Sequence, residues 1–141
     1  MNNTNNMTLK FQSYIENENF ARLAVASFCS IKIKDLDVLS DIKTAVSEAI
    51  TNCIVHAYER NIGDIEIECL LSDCDVSISI TDYGIGINNL EEAKKPFYTS
   101  KPDKERSGMG FTVMEGFMDK VTINTEIGKG TKVILYKKYI N

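Results

Sequence analysis

The sequence lacks any apolar run long enough to span a bilayer, and its polar, Asn-rich start from Met1 to Met7 has neither the charged nor the apolar region of a signal peptide. A cytoplasmic protein away from membranes is expected, with residues 1–7 disordered. A basic excess is missing too. The chain carries 16 Lys and Arg against 20 Asp and Glu, a net charge of -4. With no basic stripe to follow a phosphate backbone, this balance argues against direct nucleic-acid binding. Cys29, Cys53, Cys69 and Cys74 include no C-x-x-C pair, and the single histidine has no second ligand cluster near it. Structural zinc and a disulfide framework are therefore set aside in favour of reduced, mostly buried thiols. The Walker pattern G-x-x-x-x-G-K-[ST] is also absent, so a nucleotide would have to be held by another device.

At 141 residues the chain suits a single domain with one core, and its 43% apolar and 26% charged residues are ordinary for a folded globular protein. Leu9 to Ile15 has a strand's length. Asn17 can cap a helix in which Phe20, Leu23, Ala24, Phe28 and Ile31 recur at helical spacing, with Arg22 off that stripe. After the polar break Lys32 to Asp37, a longer helix is predicted from about Leu39 to Tyr58. Its buried face comprises Ile42, Ala45, Val46, Ala49, Ile50, Cys53 and Ala57, and Asn61 and Gly63 end it.

Ile65 to Leu71 and Val76 to Thr81 alternate as strands joined by the turn Ser72 to Asp75. Asn88 to Arg106 has no sustained periodicity beyond a short helical turn at Leu90 to Lys94, which suits a lid or binding loop. Ser107 opens a third helix whose buried face is marked by Phe111, Met114, Phe117 and Met118. Val121 to Ile127 and Thr131 to Tyr136 are the last strands, around a tight Gly128 to Gly130 turn. The expected fold is an α/β two-layer sandwich with a mixed, mainly antiparallel sheet and helices on one face.

Glu48, Asn52 and His56 recur every four residues on the polar side of the long helix. Such a face is either solvated and idle or presents an amide oxygen for hydrated Mg2+ (Asn52) beside a carboxylate able to act as a base (Glu48). His56 has no evident partner and reads as structural or capping. In Asp82-Tyr83-Gly84-Ile85-Gly86 the glycines let the backbone turn sharply after a strand. Strand parity puts Asp82 on the face of Val76, Ile78 and Ile80. A carboxylate there accepts either turn amides or an outside donor such as an adenine amino group.

Thr131 shares the face of Val133 and Leu135, as a hydroxyl beside Asp82 or simply as a good β former. The lid holds Lys94, Lys95, Lys101, Lys104 and Arg106 and runs into Ser107-Gly108-Met109-Gly110. Those basic residues are solvated charges or phosphate ligands. Free amides at a helix start form a cradle for phosphate.

Taken in order, Glu48 and Asn52, Asp82 to Gly86, Ser107 to Gly110, and Gly128 to Thr131 resemble the motif set of the GHKL ATPases over about Met7 to Lys138. Asn17 to Arg22, Pro96 to Pro102 and Glu105 to Phe111 are more specifically similar to the anti-sigma F factors of endospore-forming bacteria. The resemblance implies ATP and Mg2+ as cofactors, Glu48 as catalytic base and Asn52 as the Mg2+ ligand. It makes Asp82 the adenine reader and Arg22 a partner contact. It also assigns Gly84, Gly86, Thr99, Lys101, Arg106, Ser107, Gly108, Met109, Gly110 and Thr131 to the nucleotide.

The implied activity is that of a homodimeric protein-serine kinase that sequesters sigma factor F and phosphorylates a serine of an anti-anti-sigma factor. The alternatives are a general-stress-type anti-sigma kinase and a nucleotide-gated sigma-binding module without kinase activity. Two positions depart from the pattern: Ser100 stands where threonine is more usual, and Gly116 lies inside the third helix where a larger residue is usual.

Overall fold

The computed structural model describes residues 3–59, 61–87 and 110–140. Strand β1 (Asn5–Gln12) leads into helices α1 (Asn17–Cys29) and α2 (Leu36–Asn52), and residues Cys53–Ala57 extend α2 as a π-helical turn. Strands β2 (Asp64–Leu71) and β3 (Asp75–Asp82) follow, then helix α3 (Gly110–Phe117) and strands β4 (Lys120–Glu126) and β5 (Gly130–Lys138). The five strands form one sheet in the order β1-β2-β3-β5-β4. Among the described residues all four pairings are antiparallel, with no parallel pair of the kind that the expected mixed, mainly antiparallel sheet allowed. Strand β1 also begins at Asn5, inside the stretch expected to be disordered, because its full length pairs with β2 from Asn5↔Leu71 to Gln12↔Asp64.

Alternation places the core. Ile65, Ile67, Cys69 and Leu71 of β2, and Val76, Ile78 and Ile80 of β3, are buried on one face. That face meets Ile42, Ala45, Val46, Ala49 and Ile50 of α2 in one hydrophobic cluster, and α2 packs beside both α1 and α3. Asp35, within the predicted break, caps α2 by accepting from the amides of Asp37 and Val38, a contact worth about 1 kcal/mol. Asn17 is no cap. It is the first residue of α1, and its side chain donates to the Gln12 carbonyl at 2.9 Å.

Two helices turn differently from the predicted stripes. On α1 the buried residues are Ala21, Val25 and Cys29, while Phe20, Leu23 and, just past the helix end, Ile31 are exposed by 54%, 49% and 56%. The small residues let α1 lie close to the core, and the bulky ones are left outside. On α3, Phe111, Met114 and Met118 are buried as expected but Phe117 is exposed. Cys29, Cys53 and Cys69 are buried free thiols, and Cys74 is exposed. Among the described residues no helix is long and apolar enough to cross a membrane.

Candidate functional site

The C-terminal end of α2 faces two other pieces of chain. The first is the start of α3. A Cβ placed on Gly110 would lie 3.1 Å from the Asn52 amide nitrogen, 3.2 Å from its oxygen and 3.5 Å from Glu48 Oε2. The bare backbone of α3 thus abuts the carboxylate and amide pair that four-residue spacing had aligned on α2. His56 does not continue that row, because it lies in the π turn. Such turns are frequent at functional sites.

The second is the loop after β3, which the π turn grips. The Ile85 amide donates to the Ala57 carbonyl at 3.0 Å, and the Tyr83 amide donates to the Tyr58 hydroxyl at 2.7 Å. Gly84 is needed at this contact, since a Cβ there would lie 2.2 Å from the Ala57 carbonyl oxygen. Gly86 turns with φ of +80° against the Glu126 carbonyl. The spacing of apolar residues gave no sign of Tyr58 as a support of this loop. A tyrosine just past a helix end, five residues before Gly63, was the available signal, and a Cβ on Gly63 would strike its ring.

Asp82 and Thr131 are brought together as parity predicted. They are register partners across β3 and β5, and both are buried. Asp82 Oδ1 accepts from the Gly84 amide at 3.0 Å and the Thr131 amide at 3.2 Å. The Thr131 hydroxyl is 2.9 Å from that of Thr125. Burial raises the Asp82 carboxyl above its ordinary value, opposed by the Gly84 amide, the Cys53 thiol and the Thr131 amide. Burial, reinforced by the Asp82 charge, holds the Cys53 thiol well above its own ordinary value.

Arg22 belongs to neither group. Its Nε lies 3.5 Å from Glu18 Oε2 one turn back, and its terminal nitrogen donates to Asn19. Thr99, Lys101, Arg106, Ser107, Gly108 and Met109 lie outside the described residues, as do the lid and its Leu90 to Lys94 turn.

Residues 11–137 match the family described as histidine kinase-like ATPase domain. The chain is 53% identical over 135 residues to the anti-sigma F factor of Clostridium acetobutylicum, a match covering 96% of this chain and 94% of that protein. It is 52% identical over 135 residues to the anti-sigma F factor of Clostridium perfringens, covering 95% and 96% respectively. Among solved structures, the RsbU and RsbW domains of Rv1364c from Mycobacterium tuberculosis align with a TM-score of 0.69 over 94% of this chain and 32% of that one. At 18% identity that likeness concerns the fold alone.

Proposed function

The chain belongs to the histidine kinase-like ATPase domain family, within the group of the anti-sigma F factors, and from that premise we propose that it binds ATP, sequesters sigma factor F and phosphorylates a serine of an anti-anti-sigma factor. The observation that carries the catalytic half is the abutment of Gly110 on Asn52 and Glu48. It brings backbone, a neutral amide oxygen and a carboxylate close together, a donor set suited to hydrated Mg2+ and phosphate. Asn52 would hold the Mg2+, whose charge, when bound, offsets that of the phosphates. Asp82 offers a buried acceptor to the exocyclic amino group of adenine, between the Gly84 turn and Thr131. Glu48 accepts the serine hydroxyl proton as the oxygen attacks the γ-phosphorus of ATP and the bond to the bridging oxygen breaks, releasing ADP, while the amides of Ser107 to Gly110, with Thr99, Lys101 and Arg106, steady the phosphates.

Incubating an anti-anti-sigma partner with this protein and Mg-ATP, followed by intact-mass analysis and peptide mapping, tests the reading. One added phosphate on a serine supports it. A partner that forms a complex yet stays unmodified leaves a nucleotide-gated binder in its place.

The partner half draws on α1. Phe20 and Leu23 expose apolar surface on the helix that bears Arg22, and Ile31 does so just beyond its end. The same surface suits a homodimer or a docked partner. Arg22→Ala is expected to weaken sigma-factor and anti-anti-sigma binding by about 2 kcal/mol or more. Its ion pair with Glu18 is partly exposed, so the stability loss should stay within about 1 kcal/mol. Calorimetric titration of each partner into mutant and parent checks this, and unchanged affinities place docking elsewhere.

A further inference from the structure

Thr125 belongs to no motif in the sequence, yet its hydroxyl holds together three pieces of chain at the polar end of the sheet. Strand register puts Asp82, Thr131 and Thr125 side by side on β3, β5 and β4. The first two are buried and Thr125 is half-buried. Thr125 Oγ1 accepts from the Ile87 amide at 2.9 Å, which ties down the chain as it leaves the Gly84 to Gly86 turn. The same oxygen lies 2.9 Å from the Thr131 hydroxyl and 3.3 Å from the Gly130 carbonyl oxygen. Beside this pair, Asp82 is held as an acceptor by the Gly84 and Thr131 amides, both of which donate to Oδ1.

The hydroxyl protons give the threonine pair a direction. A hydroxyl donates one proton and can accept two. If Thr131 donated to Thr125, the Thr125 proton would be left with the Gly130 carbonyl at 3.3 Å, longer than an ordinary O–H···O bond. If Thr125 donates to Thr131, its proton lies in a bond of 2.9 Å and the Thr131 proton remains for a ligand. The run from the Ile87 amide through Thr125 to Thr131 is then a chain of donors in one sense, in which each link polarises the next. We propose that Thr125 is a positioning residue that fixes the Thr131 hydroxyl as a donor, so that Asp82 and Thr131 present an acceptor and a donor on neighbouring strands. This rests on the reading of Asp82 and Thr131 as contacts of the adenine. Adenine carries an amino donor beside a ring nitrogen that accepts, and matches that order. Guanine carries a carbonyl beside a ring N–H and opposes it at both points. Without Thr125 the Thr131 hydroxyl turns freely, and it accepts from guanine as readily as it donates to adenine.

The test uses the full chain and Thr125→Val, Thr125→Ser, Thr131→Val and the double variant Thr125→Val with Thr131→Val, in competition binding of ATP against GTP. The two nucleotides share ribose and triphosphate, so a packing change that weakens nucleotide binding as a whole cancels in their ratio. Thr125→Val keeps the shape without the hydroxyl and should lower the preference for ATP over GTP by about fivefold, the worth of one lost hydrogen bond. Thr125→Ser, which keeps the hydroxyl, should recover most of it. Thr131→Val should itself reduce the preference, and adding Thr125→Val to it should change little more, because the two hydroxyls act as one unit.

A parental preference in Thr125→Val beside a reduced one in Thr131→Val overturns the proposal and leaves the adenine reading standing. A preference lost in Thr125→Val but not recovered in Thr125→Ser also overturns it, since that marks a packing defect. So does a full further loss when Thr125→Val is added to Thr131→Val, because Thr125 then acts through the chain at Ile87 and not through Thr131. If Thr131→Val keeps the parental preference, the reading of Thr131 as an adenine contact is what fails, and the role of Thr125 falls with it.

Discussion

Glu48→Gln should keep ATP affinity within a few-fold of the parent while phosphoryl transfer falls by about 100- to 10,000-fold, the usual worth of a general base. In barrier terms that is roughly 2.7 to 5.5 kcal/mol. The amide preserves size and hydrogen-bonding shape, so the abutment of Gly110 on Asn52 and on residue 48 should persist. What it loses is the capacity to take a proton from the serine hydroxyl. Single-turnover phosphorylation of the anti-anti-sigma partner, beside ATP titration of the same preparation, separates the two quantities. Unchanged turnover with intact binding rejects Glu48 as the base, and a matching fall in both assigns it to binding.

The parts of this arrangement that were legible in the sequence are those that depend on regular periodicity next to a buried layer. The apolar face of α2 was readable residue by residue, and all seven predicted positions, from Ile42 to Ala57, are buried. Its neighbours on three sides leave no other face for them. The parity of β3 and β5 likewise delivered Asp82 and Thr131 to the core face, because a strand's alternation allows only two answers.

What escaped was whatever periodicity leaves degenerate. A four-residue recurrence of Ala49, Cys53 and Ala57 fits an α-helix and a π turn alike, so the change of winding after Asn52 could not be seen. On α1 the size of Phe20, Leu23 and Ile31 outweighed the small residues Ala21, Val25 and Cys29, which the close approach of the helix actually requires. The polar start of β1 looked unstructured because an edge strand can be held by backbone bonds alone. The Tyr58 hydroxyl contact to the Tyr83 amide joins residues 25 positions apart, and no local pattern encodes it.

The turn between β4 and β5 gives a test of how closely the site depends on the sheet beneath it. Gly128 and Gly130 both have positive φ, +80° and +124°, so alanine at either position carries a torsional penalty of about 1 to 2 kcal/mol. Their surroundings differ sharply. A Cβ on Gly128 meets nothing within 4 Å, whereas one on Gly130 would lie 2.1 Å from the Asp82 carbonyl oxygen and 2.8 Å from the Tyr83 Cα. That neighbour is backbone and cannot rotate away, so β5 must move off β3 where Asp82 pairs with Thr131.

Gly128→Ala should therefore cost about 1 kcal/mol and leave ATP binding close to the parent. Gly130→Ala adds overpacking of about 1 to 3 kcal/mol, for a total of roughly 3 kcal/mol or more. At about 3 °C per kcal/mol for a domain of this size, the expected falls in Tm are roughly 3 °C and 10 °C. Separating the strands also pulls the Thr131 amide from Asp82 Oδ1, so Gly130→Ala should lose ATP affinity at temperatures where it is still folded. Differential scanning calorimetry with ATP titration below both transitions reads the two effects apart. Equal losses for the two variants would mean that the torsion alone is felt and that the sheet yields at Asp82 without disturbing the nucleotide.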